Sequence, residues 1–334
     1  MNTLQRWQNG TAGLVVALAL AACGGGGGGN DTPAPAPTPA SPPITQPAPV
    51  TPPPVQAPVP ADPGAPAVTG NVATDGLNWL NYRRAQAGLS VLPRNGLIDN
   101  AALGHSNYQR QNEVTHVQEA GKAGFTGKVL FDRLAAVGYA NPNSYFYGEV
   151  ISASTNGTGA YLAEELITAI YHRFAIFEPR FREIGAGATT DSRGYTILTV
   201  NFAANGGYGT GLGSGKVAVW PVDGQAGGRT NFFSDYEAPD PVADLNEVGY
   251  PVSVHADADV RLTVSSFTIR PRGGAVLNAK LLSADADSKN TTTRAAIAIV
   301  PMAVLAKNTT YDVSFVGTGN GVPITQNWSF TTRP

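Results

Sequence analysis

Four residues of the chain have side chains suited to binding a metal ion, and they lie far apart in the sequence. They are His105, His116, Glu149 and His172, which include three of the chain's four histidines. Two imidazoles and a carboxylate are a common three-ligand set for zinc, with a fourth position open to water. His116, His172 and Glu149 are therefore a candidate divalent metal site. The spacing alone favours a structural alternative, hydrogen-bonded or exposed histidines, because only the fold can bring these residues together.

Helices and short strands must position these side chains. Thr74 or Asp75 is the predicted N-cap of a first helix, which Gly88 ends. A second helix is predicted to begin near Asn95 or Gly96. Apolar residues alternate over 195–202, as expected of a strand. Leu97, Ala101, His105 and Tyr108 are predicted to lie on one face of the second helix, because they are spaced three or four residues apart.

Composition excludes several classes of function. The chain has 22 Lys and Arg against 24 Asp and Glu, a net charge of −2, which excludes a strongly basic nucleic-acid-binding protein. Its one cysteine, Cys23, excludes an intrachain disulfide framework and a cysteine-based metal site.

The N-terminus has the pattern of an export signal. An apolar run over residues 13–22 is too short to span a bilayer and leads directly to Cys23. The sequence Leu20-Ala21-Ala22-Cys23 resembles a bacterial lipoprotein processing box, which implies cleavage after residue 22 and acylation of Cys23. In this resemblance Gly24 favours the outer over the inner membrane of the cell envelope. The alternative is an ordinary secretory signal with a chance cysteine.

Residues 23–70 are predicted to be a disordered tether. Six glycines follow Cys23, and 15 of the 26 prolines lie between Pro33 and Pro66. Such a segment has too little apolar surface to fold and acts as a spacer between the membrane and the folded part.

Residues 71–210 resemble a known family in a collinear series of short motifs. The opening segment 77–89 is similar to the first helix of the CAP superfamily, which comprises cysteine-rich secretory proteins, antigen 5, pathogenesis-related 1 proteins and bacterial relatives. The later motifs, in order, are Ala102 to Ser106, Thr115-His116, Phe125 to Gly127, Asp132-Arg133, Gly138-Tyr139, Gly148-Glu149, Tyr171 to Arg173, Ile176-Phe177, Glu183 to Gly187 and Asn201-Phe202.

The resemblance implies an α-β-α sandwich with a large groove lined by His116, Glu149 and His172. Several family members bind a divalent cation there, often zinc, and others bind sterols or fatty acids. A second groove glutamate of many eukaryotic members would align near Ala169 and is absent. Glu164 and Glu165 lie in the same predicted helix but out of register.

Several neighbouring residues have two interpretations. His105 is equally suited to a third metal-binding imidazole and to a packing or hydrogen-bonding role. Arg133 and Arg173 are predicted to pair with carboxylates or cap helix ends. The aromatic run 145–147 favours a strand core over a wall that stacks on a ligand.

Residues 216–334 are predicted to form a second, all-β domain. Short alternating segments separated by Gly, Pro, Asn and Asp are typical of an antiparallel β-sandwich, and two segments resemble a bacterial Ig-like domain. His255, near Asp257 and Asp259, is interpreted as part of a solvated turn. The fold class expected of the whole chain is α+β.

Two functions fit this organisation, and the sequence leaves the oligomeric state open. The first is an envelope-tethered binding module whose groove holds a small apolar, lipid or sterol-like ligand and a divalent cation. The alternative is a metal-assisted, peptidase-like hydrolase of the cell envelope, in which the metal activates a bound water. That mechanism needs a general base, and the sequence offers no clear second carboxylate for the groove. We therefore favour the binding module.

Overall fold

A computed structural model describes residues 63–140, 145–243 and 245–334. The predicted signal peptide (1–22), the lipidation site Cys23 and most of the tether lie outside these residues and stay predictions. Within the described ranges, no helix is long and apolar enough to cross a membrane.

The N-terminal half is an α+β layer structure. Its helices are α1 (Val72–Gln86), α2 (Gly96–Gln111), α3 (Leu130–Ala136), α4 (Gly159–Thr168) and α5 (Ile170–Ile176). Its strands are β1 (Tyr145–Ser154), β2 (Glu183–Thr190) and β3 (Thr196–Asn205), and they form an antiparallel sheet in the order β1-β3-β2.

Helices cover both faces of this sheet. Successive side chains of a strand point to opposite faces, so Leu198 and Thr199 of β3 mark the two sides. Leu198 lies against Gly76 of α1, whereas Thr199 accepts hydrogen bonds from Ser106 and Gln109 of α2. The α-β-α layering expected from the sequence is therefore present.

The predicted helix ends are correct in part. The second helix begins where expected, with Asn95 as its N-cap, and Gly88 follows α1 with a φ of +74°. The N-cap of α1 is Asn71 rather than Thr74 or Asp75, because the Asn71 side chain accepts from the Thr74 N–H.

Two predicted side-chain placements are wrong. Leu97 of α2 is exposed, and the neighbouring Ile98 is buried in its place, whereas Ala101, His105 and Tyr108 of the predicted face are buried. His255 is fully buried in a strand of the C-terminal region rather than solvated in a turn.

Apart from the 3₁₀ turn Ser234–Tyr236, the regular elements of the described C-terminal region are strands. They are β4 (Ala218–Trp220), β5 (Gln225–Gly228), β6 (Asn231–Phe233), β7 (Glu247–Gly249), β8 (Val252–His255), β9 (Leu262–Pro271), β10 (Ala279–Leu282), β11 (Ala296–Pro301), β12 (Thr310–Gly319) and β13 (Val322–Thr332). Two four-stranded sheets have the orders β10-β11-β8-β4 and β5-β13-β12-β9, and β6 pairs with β7. All pairs are antiparallel except β5 with β13. The Ig-like assignment stays a prediction.

One helix of the N-terminal half is buried against the C-terminal region. Residues 66–334 form one compact unit, and the predicted boundary between residues 210 and 216 lies inside it. Ile170 and Phe174 of α5 belong to a core cluster whose other buried members are Phe232, Val242, Val248, Leu282, Ala296, Ala298 and Val300. The two halves of the structure therefore share part of their hydrophobic core.

Candidate functional site

Glu149 is the centre of a buried charged cluster. Strand β1 carries it, and its side chain is only 5% exposed. Arg133 Nη2 lies 2.8 Å from both carboxylate oxygens, and His116 Nδ1 lies 3.0 Å from Oε1. Burial opposes ionisation of Glu149, but Arg133, His105 and His116 outweigh it and lower the pKa to about 2. Glu149 is therefore an ionised carboxylate with both oxygens already hydrogen-bonded.

His116 is held by one ring nitrogen. Its Nδ1–H donates to Glu149, and its side chain is 30% exposed. Among the described residues, no protein group hydrogen-bonds Nε2. The carboxylate thus fixes the orientation of the ring and leaves Nε2 available to a ligand.

Both ring nitrogens of His105 are used inside the protein. Nε2 lies 2.8 Å from the Thr115 carbonyl oxygen, so it carries the proton, and Nδ1 accepts from the Gln118 amide at 2.8 Å. The ring is fully buried, and burial lowers its pKa to about 4. This geometry favours the hydrogen-bonding role for His105 over the role of a third metal-binding imidazole.

His172 contacts a carboxylate from the C-terminal region. Its Nδ1 lies 3.0 Å from Oε1 of Glu237, which follows the 3₁₀ turn Ser234–Tyr236. The His172 side chain is 18% exposed, and no group among the described residues hydrogen-bonds its Nε2. His172 therefore has the same arrangement as His116, with a different carboxylate.

The structure joins the predicted site residues in two sets. His105, His116 and Glu149 are in contact, with Arg133, whereas the contact of His172 is Glu237. In the described ranges no group of three or more His, Cys, Asp or Glu is arranged to hold a metal ion. Glu149 is bonded as a partner of His116, and the Nε2 atoms of His116 and His172 have no protein partner among the described residues.

The other glutamates considered for the groove have arginine partners. Buried Glu164 accepts from Arg83 and from the indole of Trp79, and Glu165 accepts from Arg229. Ala169, where the family places a glutamate, lies at the break between α4 and α5.

The structural roles predicted for the two arginines are confirmed. Arg133 pairs with Glu149, and Arg173 donates to the Ile167 and Thr168 carbonyls at the end of α4.

The aromatic run before Glu149 is strand core with one open end. Phe146 and Tyr147 are buried, whereas Tyr145 is 37% exposed. Tyr145, Tyr147 and Glu149 lie on the same face of β1, because side chains on a strand alternate between its faces. The Tyr145 ring is 4.9 Å from that of Tyr147 and 4.9 Å from that of Phe131. An apolar aromatic surface therefore lies on the Glu149 face of the strand.

Sequence reasoning missed Glu237. It lies 65 residues after His172, in a segment without catalytic or ligand-like spacing. The only local signal is a glutamate within the aromatic, turn-rich stretch that begins at Asn231.

Comparison with known proteins identifies the N-terminal half. Residues 77–202 match the sequence model of the family described as "CAP: Cysteine-rich secretory protein family". This segment is a CAP domain. No curated protein matches the chain.

Two solved structures are similar to part of the chain. An extracellular protein containing an SCP domain from Bacillus anthracis is 21% identical, with a TM-score of 0.33; the match covers 41% of this chain and 44% of that one. An outer surface protein from Borrelia burgdorferi is 14% identical, with a TM-score of 0.32, over 39% of this chain and 89% of that one. The match thus spans less than half of the Bacillus protein.

Proposed function

We propose that this protein is an extracytoplasmic, lipid-anchored binding module. In this proposal the CAP domain binds a divalent cation, with zinc preferred, and a small apolar ligand such as a lipid or sterol. His116 and His172 would hold the cation through Nε2, and the aromatic surface at Tyr145 would contact the ligand. The cation would supply positive charge for a polar head group.

One observation carries the proposal. Both imidazoles are fixed at Nδ1 by a buried carboxylate, and their Nε2 atoms have no protein partner among the described residues. Metal-binding histidines commonly have this arrangement, because the outer carboxylate sets the tautomer and raises the basicity of the ligating nitrogen. The donor set therefore fits a cation that prefers imidazole nitrogen.

Calorimetric titration of metal tests the cation. We expect the full chain, stripped of metal and purified in detergent, to bind zinc stoichiometrically, and His116→Ala and His172→Ala each to abolish that binding. Glu113→Ala, which removes an exposed carboxylate, is the control for adventitious surface binding and should leave the titration unchanged. Zinc binding that survives both histidine substitutions would contradict the assignment.

A fluorescent fatty acid tests the apolar ligand. We expect cis-parinaric acid to bind the zinc-loaded protein, and Tyr145→Ser to weaken its binding because the substitution removes the exposed ring. A fluorogenic peptide mixture tests the hydrolase alternative on the same samples. Zinc-dependent cleavage that both histidine substitutions remove would favour the hydrolase over the binding module.

Membrane fractionation tests the anchor. Lipidation of Cys23 predicts that the protein sediments with the membrane and that Cys23→Ser releases it into the soluble fraction, because several acyl chains give stable anchoring. A soluble wild-type protein would contradict the anchor without affecting the cation site.

A further inference from the structure

The Glu237 carboxylate accepts hydrogen bonds from the first three backbone N–H groups of α5 and from the His172 ring. Its Oε2 accepts from Ile170 N at 2.7 Å, and its Oε1 accepts from Tyr171 N at 2.7 Å and His172 N at 3.1 Å. The same Oε1 lies 3.0 Å from His172 Nδ1. The side chain of Glu237 is fully buried, so these four bonds replace its contacts with water.

This geometry determines which ring nitrogen of His172 carries the proton. A carboxylate oxygen only accepts hydrogen bonds, so the contact requires a proton on Nδ1. In the neutral ring Nε2 then has the lone pair. Because the backbone of residues 170–172 is bonded to the same carboxylate, the ring and its helix are fixed together.

The C-terminal region holds α5 at two further points. The Tyr171 hydroxyl donates to Asp287 at 2.6 Å, and Arg173 Nη1 donates to the Pro251 carbonyl at 2.7 Å. Ile170 and Phe174 are buried in the shared core. The helix that carries His172 is thus held by the C-terminal region as well as by α4 of the CAP segment.

We propose that Glu237 is a positioning residue for His172. The C-terminal region thereby supplies the carboxylate that orients one of the two imidazoles of the proposed cation site. Glu237 holds the proton on Nδ1 and leaves Nε2 to bind the cation. This inference rests on the proposed function for the identity of the ligand, whereas the tautomer and its dependence on Glu237 are independent of it. The C-terminal region then contributes to the site through Glu237, in addition to packing against α5.

Three substitutions separate positioning from support of the helix. Glu237→Met removes every acceptor at nearly constant size. Glu237→Gln keeps one oxygen, which can occupy the place of Oε1, and is the conservative rescue variant. Tyr171→Phe is the matched control, because it removes a neighbouring bond between α5 and the C-terminal region without touching the imidazole.

The readouts are histidine tautomer and zinc affinity in the full chain. Long-range ¹H–¹⁵N spectra of ¹⁵N-histidine-labelled protein at pH 8 report the tautomer, and His172→Ala assigns the signal. We expect the Nδ1–H form in wild type, Glu237→Gln and Tyr171→Phe, and a shift towards Nε2–H in Glu237→Met. Zinc affinity should fall about 10- to 100-fold in Glu237→Met, and the loss should be smaller in Glu237→Gln and negligible in Tyr171→Phe.

The outcomes distinguish this inference from the proposed function. Absence of zinc binding in wild type, with the expected tautomers, would overturn the cation proposal and support the positioning role. An Nε2–H form in wild type would overturn the positioning role whatever the zinc result. Unchanged tautomer and affinity in folded Glu237→Met would also overturn it. If Glu237→Met does not fold, the wild-type spectrum still decides: an Nε2–H form overturns the positioning role, and an Nδ1–H form supports it.

Discussion

His116 and His172 have the same local chemistry but depend on different parts of the chain. The carboxylate of His116 is Glu149, which lies on a strand of the same CAP domain and is neutralised by Arg133. The carboxylate of His172 is Glu237, which comes from the C-terminal region and is satisfied by backbone N–H groups. One imidazole is thus oriented within the domain and the other across its boundary. The CAP segment alone therefore contains only one of the two histidine–carboxylate pairs.

Removing the C-terminal region should have the largest effect, because it takes away the carboxylate of His172 and leaves that of His116 in place. A chain that stops after Gly215 loses Glu237, the Pro251 acceptor of Arg173 and the core around Ile170 and Phe174. We expect it to lose cooperative thermal unfolding, measured by circular dichroism. A cooperative transition and a dispersed amide spectrum would instead show that the CAP segment folds independently.

Arg133→Met tests the pair of His116 and Glu149, in which a guanidinium neutralises the carboxylate. The substitution leaves the Glu149 carboxylate buried without its guanidinium, and breaking such a pair costs about 3–5 kcal/mol. We expect a loss of this size in urea unfolding at pH 7, together with a rise in the pKa of Glu149. Arg110→Met, at an exposed position of α2, is the control. Equal effects of the two substitutions would show that Arg133 does not compensate Glu149.

Glu178 makes a second contact between the CAP segment and the C-terminal region. Its Oε1 accepts from Ala258 N of the C-terminal region and from Arg180 N. Burial raises its pKa to about 8, although these N–H groups and Arg84 oppose the rise. The folded state therefore binds the Glu178 proton more tightly than the unfolded state. The stability that this proton contributes is fully present below pH 4.5 and is lost as pH rises to about 8.

Glu178→Gln should remove this pH dependence. We expect the free energy of unfolding of wild type to fall by up to ~1.4 kcal/mol per pH unit between those limits because of Glu178, and that of the variant not to show this fall. Urea midpoints from pH 5 to 9 measure the difference. The difference between variant and wild type cancels the opposite slope expected from His105 and His255, whose pKa values burial lowers. Parallel profiles would contradict the raised pKa.

Tyr171→Phe should have the smallest effect on stability. It removes one partly buried hydrogen bond to Asp287, worth about 0.5–1.5 kcal/mol, and leaves the Glu237 contacts intact. Thermal unfolding of the full chain measures the loss. A loss as large as that of Arg133→Met would show that the tyrosine, rather than the carboxylate, holds α5.

The sequence predicted the elements whose signals are local. Asn95 precedes α2 and caps it, and the alternation over 195–202 is β3. His116, in the loop between α2 and α3, contacts Glu149 of β1, and the family resemblance had placed both residues in one groove. The first cap moved from Thr74 to Asn71 because all three nearby polar residues can cap a helix and only the backbone selects among them.

The partner of His172 and the burial of His255 could not be predicted in this way. Both depend on contacts between the CAP segment and residues far along the chain. The spacing of apolar residues in a sequence predicts helices, strands and their buried faces, but not which distant segments meet. His255 packs against Phe174 and Phe177 at ring distances of 5.9 and 5.3 Å, in a core that exists only after the halves meet. The neighbouring Asp257 and Asp259 suggested a hydrated turn. Asp257 is itself buried, and its carboxylate accepts hydrogen bonds from the backbone N–H groups of Leu212 and Gly213.

The contact between Glu237 and His172 also limits how this gene could recombine. Domain shuffling works where each exchanged module has its own complete chemistry. Here a CAP segment joined to a different C-terminal module would retain His116 with its carboxylate and lose the carboxylate of His172. The two segments are thus expected to be inherited as a pair, and a relative with another C-terminal module would need a new carboxylate for the second imidazole.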